Sequence, residues 1–421
     1  MIFNDMEIAT FTAVLSALIS SVGLLREVYL CFWDIHEVYP CLWHVVEYMN
    51  HPTDLKGRLK IEKARADEFK KRLGNLVEAE HGDVGEHALD QLDITLKDVA
   101  FSYFAGVESE VEPSPSVGCC GVKNISMRIK QGHLIAVTGE KSGTGCKTLT
   151  RLLAGQLLPQ DEDGNVDPTC TSEKGLFVPP HLRVLYVAAK PTLLDGPIAL
   201  SVFFGLLVKH QYTLDMYTDL KDSEIERGIQ ICRRLNIPDD VIGLIHSEVF
   251  MPVVKSRTRL DKDKIRYGHR KVLSRVTAST TYKIHLACAL ISDPQVLVLD
   301  KPIQFLTMED GQAVMKCLRE FVSLRGLEYG NDHENMLARR PRTVIISSKN
   351  KLMLTGADLV VTMNEDGIVS ERVDIENVAN EMEEELQQSH KSVHSFSVER
   401  KRTGRQFTDS DSARSAAALS I

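Results

Sequence analysis

His133-Leu-Ile-Ala-Val-Thr138-Gly139-Glu-Lys-Ser-Gly143-Thr-Gly145-Cys-Lys-Thr148, running on into Leu149-Thr-Arg-Leu-Leu-Ala-Gly155, sets three elements in a row. The first six residues are a short β-branched and apolar run, which predicts a strand. Gly139, Gly143 and Gly145 then make a glycine-rich turn, and the Leu-rich run after Thr148 predicts a helix. A strand, such a turn and a helix in that order bring backbone N–H groups and a helix N-terminus to one point, where they can cradle an anion. Outward from this point, Arg183–Ala189, Gln295–Asp300 and Arg342–Ser348 repeat the short apolar strand signal. With helical runs between them, they predict a parallel sheet covered on both faces.

The glycine run resembles the Walker A motif of ABC nucleotide-binding domains, and the resemblance extends from Leu96 to Val369. Aligned without gaps, the family's SGSGKST falls on Ser142, Gly143, Thr144, Gly145, Cys146, Lys147 and Thr148. Cys146 then stands at the phosphate-binding lysine and Lys147 at the Mg²⁺-ligating serine. A register with a loop one residue longer returns Lys147 to the lysine role and makes Thr148 the metal ligand; the sequence leaves both open. Leu185–Pro191 resembles the Q-loop strand, with Ala189 at its glutamine. Val296–Pro302 resembles Walker B: Asp300 keeps the carboxylate implied to hold Mg²⁺, and Lys301 replaces the general base glutamate. The signature motif falls on Val276–Thr280 without its glycines; alternatively, with three residues inserted, Leu273-Ser274 is the remnant of its start, and the glycines are still missing. Leu306-Thr307 resembles the D-loop, Thr343–Lys349 the H-loop strand with Lys349 for its histidine, and Phe101-Ser-Tyr103 the A-loop, whose ring stacks on adenine.

The resemblance implies an α/β ABC-type P-loop domain over residues 92–375. An antiparallel β subdomain is expected near Ile94–Ile135 and a helical subdomain near Ala199–Thr281. It implies ATP as the nucleotide and a site poor in catalytic groups, since a protonated Lys301 cannot accept a proton from water and Ala189 offers no oxygen. Lys147, Lys301 and Lys349 all fall where the family surrounds the β- and γ-phosphates. One hypothesis is therefore that ammonium groups have replaced the divalent ion and nucleotide binds without Mg²⁺; the alternative is drift at a site freed from catalysis.

Residues 1–50 read differently. Ile8–Leu25 carries no charge over 18 residues, about the lower limit for crossing a ~30 Å hydrocarbon layer, and Tyr29, Phe32 and Trp33 follow where an interfacial aromatic belt would lie. A membrane helix and a buried helix of a soluble bundle are both open. A signal peptide is disfavoured by the acidic, Lys- and Arg-free start. By resemblance this is the last transmembrane helix of an exporter half with its cytosolic extension. The other helices of such a half are not in this sequence, which implies a truncated product or partial gene. Residues 51–91 read as a charged linker with a solvated helix over Pro52–Glu78. Val107–Pro115 and Asp161–Lys174 read as surface loops. Residues 376–421 read as an acidic helix and a disordered, Ser-rich tail that could accept phosphate.

Of 421 residues, 43% are hydrophobic and 26% charged, a globular composition. A net charge of −8 gives no pull toward nucleic acid. Nine cysteines without a C-x-x-C pair suggest reduced thiols facing cytosol. The expected function is thus a degenerate nucleotide-binding half or fragment of an ABC membrane transporter, with the domain in the cytosol and a second nucleotide-binding domain as partner. The alternatives are a scaffold or regulatory protein on the same fold, and an active exporter half.

Overall fold

The computed structural model describes residues 8–50, 53–79, 88–103, 121–139, 143–161, 164–171, 173–194, 197–209, 220–250, 276–327, 336, 339–364 and 369–372. Two compact units divide the chain, Met1–Lys56 and Gly57–Ile421.

In the first unit, α1 is one helix of 42 residues, Ile8–Met49. At 1.5 Å per residue it is ~63 Å long, about twice a hydrocarbon layer. Within Thr10–Met49 an 18-residue stretch reaches a mean hydropathy of 1.6, and none of that stretch is buried. Leu18, Ile19, Leu25, Phe32 and Trp33 all lie open.

In the second unit, β1 (Ile94–Ser102), β2 (Gly121–Ile129) and β4 (Gly175–Phe177) form an antiparallel sheet in the order β2-β1-β4. Helix α2 (Leu55–Ala79) corrects the solvated-linker expectation. Ile61 and Glu68 are buried, and the Arg72 guanidinium lies 4.0 Å from the centre of the Phe177 ring. Arg72 also donates to Glu68 (2.8 Å) and to Thr95 of β1 (3.2 Å). Charged residues can sit on a packed face when each finds a partner and lays its methylene stem on apolar surface. Among its described residues the second expected loop, Asp161–Lys174, holds no helix or strand; Cys170 in it is buried and forms an isolated β-bridge with Gly175, while Gln160 bridges to Val166. Val107–Pro115, Leu273-Ser274 and the tail from 373 onward lie outside the described residues.

The main sheet has six strands: β5 (Val184–Val187), β6 (Val296–Asp300), β7 (Thr343–Ser347), β3 (Leu134–Gly139), β8 (Leu359–Met363) and β9 (Val369–Arg372), in that order. All neighbours are parallel except β8 and β9. Every residue of β3, β6 and β7 is buried, as a sheet covered on both faces requires. Alternation divides their side chains between two cores. Leu297, Leu299, Val344 and Ile346 face helices α4 (Ile198–Lys209), α5 (Asp222–Arg234), α6 (Asp239–Phe250), α7 (Ala278–Ile291) and α8 (Met308–Ser323). Val296, Val298 and Ile345 face the antiparallel sheet and α3 (Cys146–Leu153). The fold is mixed α/β with one antiparallel and one mainly parallel sheet, and a long apolar N-terminal helix, as the sequence led us to expect.

Candidate functional site

Because β3, β6 and β7 are parallel, Gly139, Asp300 and Ser347 end at one edge of the sheet, and α3 starts there. The turn from β3 to α3 depends on its glycines. Gly143 and Gly145 have φ of 99° and 88°, the left-handed region that L side chains rarely adopt. A Cβ on Gly139 would lie 1.8 Å from the Thr144 hydroxyl, and one on Gly145 would lie 2.4 Å from Val122. The chain thus folds back tightly on its own strand and enters α3 at Cys146, whose first-turn N–H groups have no carbonyl behind them. Ser142 lies outside the described residues. Thr144 is buried, and its hydroxyl is 3.5 Å from the Cys146 thiol.

The carboxylate of Asp300 is buried at the end of β6. Ser347, its register partner on β7, donates to Oδ1 at 2.8 Å. The Tyr186 hydroxyl of β5 donates to Oδ2 at 3.4 Å, and the Lys147 ammonium is 3.9 Å from the same oxygen. Burial and then the Asp300 charge push the Tyr186 phenol up to about 12, so it stays protonated and donating. Tyr282 of α7 is wholly buried, its hydroxyl has no hydrogen-bond partner among the described residues, and burial raises its pKa.

Around this centre, Lys301 is exposed in a left-handed backbone (φ 47°), its N–H donating to the Ser347 carbonyl and hydroxyl. Lys349 is half-buried beyond β7. Both lie within electrostatic reach of Cys146, although burial outweighs them and holds its thiol above the usual value. Thr148 is turned elsewhere: its hydroxyl donates to Tyr103 at 3.4 Å, and Tyr103 meets Phe101 edge-on at 4.8 Å. Ala189 follows β5, partly buried. Thr277 and Thr307 are spent as helix caps, accepting from Thr280 N–H and Asp310 N–H. The structure therefore gathers Cys146, Lys147, Asp300, Lys301 and Lys349, and sets Thr148 with Tyr103.

Sequence reasoning missed Tyr186, Ser347 and Tyr282, although the first two stood in strands it had marked. A polar residue in an otherwise apolar strand was the available signal. As for what the site fits, a phosphate suits a glycine turn with the α3 N-terminus behind it. At Asp300 each oxygen accepts one bond from the chain's own donors, and the Lys147 ammonium stands 3.9 Å from Oδ2, where a divalent cation would meet a like charge.

A family model described as ABC transporter matches residues 122–304, the stretch holding the glycine turn and Asp300. The chain carries an ABC transporter ATP-binding domain. Such a domain implies nucleotide binding. Human ATP-binding cassette sub-family B member 5 is 24% identical over 282 residues, 66% of this chain and 17% of that protein. The ATP-dependent permease MDL1 of Candida albicans is 22% identical over 288 residues, 66% of this chain and 32% of that protein. The molybdenum import ATP-binding protein ModC of Hahella chejuensis is 27% identical over 183 residues, 43% of this chain and 40% of that protein. The ABC domain is thus related to both exporters and importers, and the chain spans a minor part of the length of these relatives. The solved structure of a bacterial Atm1-family ABC exporter with ATP bound is 15% identical, covers 71% of this chain and 43% of its own, and has a TM-score of 0.45. The fold assignment rests on the strand order and register above.

Proposed function

We propose that this chain is the nucleotide-binding part of an ABC membrane transporter half that binds ATP and does not hydrolyse it alone. Residues 92–375 form the domain, with Gly143–Thr148 as phosphate cradle and Tyr103 at the adenine end. The residues replaced at the edge of the sheet remove hydrolysis. The observation that carries this reading is the state of Asp300: its charge is met by Lys147, Ser347 and Tyr186, and the next residue is a lysine. Hydrolysis needs a metal, an oriented water and a base. Loss of the base alone lowers a rate by ~10²–10⁴. The gapless register is supported by the same geometry, since Lys147 faces Asp300 while Thr148 faces Tyr103.

Helix α1, with its open apolar surface, would be the last transmembrane helix and its cytosolic extension, placing the domain in the cytosol. Working residues would come from a second ABC half, paired head to tail. The test is to incubate the full chain with ATP and follow phosphate release beside saturable binding of a fluorescent ATP analogue. Binding without release is expected. Release above background that disappears in Asp300→Asn would mean an active enzyme instead. Retention in the membrane pellet after carbonate extraction is expected, and release into the supernatant would overturn the membrane assignment.

A further inference from the structure

We propose that the Lys147 ammonium is a built-in counter-ion, occupying the place of a divalent cation between Asp300 and the phosphates, so that this domain holds nucleotide without metal. The inference rests on the reading of the chain as a nucleotide-binding ABC domain.

Asp300 is buried, with its side chain 3% exposed, and a buried carboxylate needs a neutralising partner. Ser347 and Tyr186 supply hydrogen bonds but no charge. Among the described residues the cation within ion-pair distance is Lys147, 3.9 Å away. Lys147 stands in the first turn of α3, directly after the glycine turn, and its side chain is 63% exposed. Its ammonium therefore reaches the buried carboxylate from the solvent side, at the start of the helix that follows the glycine turn. An ammonium has three donors, so one cation can serve the carboxylate and a phosphate oxygen together. That is the bridge a divalent ion makes elsewhere. Mg²⁺ asks for near-octahedral oxygen ligands and keeps several waters, and here it would meet a like charge beside a carboxylate whose two oxygens are engaged.

The surroundings agree. Lys301 and Lys349 act electrostatically on Cys146 at the glycine turn, and burial holds that thiol's pKa up, so it stays neutral and adds no negative charge there. Although largely exposed, Lys147 reaches the buried carboxylate with its ammonium, at 3.9 Å.

The experiment compares binding of a fluorescent ATP analogue to the full chain in EDTA and in excess Mg²⁺, for the unaltered protein, Lys147→Ser and Lys147→Arg, with folding checked by thermal melting. The unaltered chain and Lys147→Arg should bind equally in both media, within about twofold. Lys147→Ser should bind about tenfold more weakly in EDTA and recover in Mg²⁺. Binding by the unaltered chain that tightens about tenfold or more in Mg²⁺ overturns the proposal. Absence of saturable binding in both media overturns the nucleotide-binding reading instead, and the metal claim is then decided by Mn²⁺ alone, followed as loss of the free-ion EPR signal. Uptake by Lys147→Ser but not by the unaltered chain, and lost again when Asp300→Asn is added, upholds the proposal. Uptake by the unaltered chain, or by neither, overturns it.

Discussion

In the interior of the six-stranded sheet, β6 reads Val296-Leu-Val-Leu and β7 reads Thr343-Val-Ile-Ile, every residue buried and divided between two cores. A step further along, the same strands end in Asp300-Lys301 and Ser347-Ser348-Lys349, where the resemblance to ABC domains leads one to expect a base and a histidine. On the proposed reading, the interior keeps the family pattern while the edge departs from it. The difference is physical. Interior positions are tied to packing, where a lost methylene costs stability at once. Lys301 is exposed, and substitution at exposed positions costs little. A sheet of this kind can therefore lose its chemistry and keep its fold.

The largest effect should come from breaking the interior. Ile345→Ala removes a wholly buried side chain from β7 and should cost ~2–5 kcal/mol, read as a lower urea midpoint. A loss below ~1 kcal/mol would mean the central sheet is looser than its burial implies. Next, Arg72→Ala should cost ~1–3 kcal/mol, because it strands the buried Glu68 and uncovers Phe177. An unchanged midpoint would return α2 to the status of a solvated linker. At the edge the balance should reverse: Cys146→Lys should tighten ATP-analogue binding about tenfold while moving stability by at most ~1 kcal/mol. A large stability loss with no gain in affinity would erase the contrast between edge and interior.

The smallest effect concerns pH. Burial lowers the pKa of His285 on α7, with a bond from its ring N–H to the Thr192 backbone carbonyl opposing it. A depressed folded pKa means that the unfolded chain binds the proton first. The stability is present above the unfolded value near 6.5 and is lost as pH falls through the folded value. One such proton gives at most about 1.4 kcal/mol per pH unit. Urea midpoints of His285→Gln between about pH 7.5 and 5 should fall less steeply than those of the unaltered chain. Parallel slopes would remove His285 from the account.

The core strands were legible because β-branched runs such as Val296–Leu299 allow one conformation and one degree of burial. The glycine turn was legible because Gly143 and Gly145 need backbone angles few other residues take. Two things were not. The packed face of α2 was hidden by its charges, although Ile61, Arg65, Glu68 and Arg72 recur at helical spacing along one side. The cage around Asp300 depends on strand register: Ser347 meets Asp300 only because β6 and β7 pair as they do, and Tyr186 reaches it from the far side of β6. Sequence order does not carry that pairing.

The most direct measurement is phosphate release by the full chain at saturating ATP, with nucleotide binding followed in the same sample. The account predicts saturable binding and release no faster than the buffer background. Release above that background, abolished by Asp300→Asn, would contradict it.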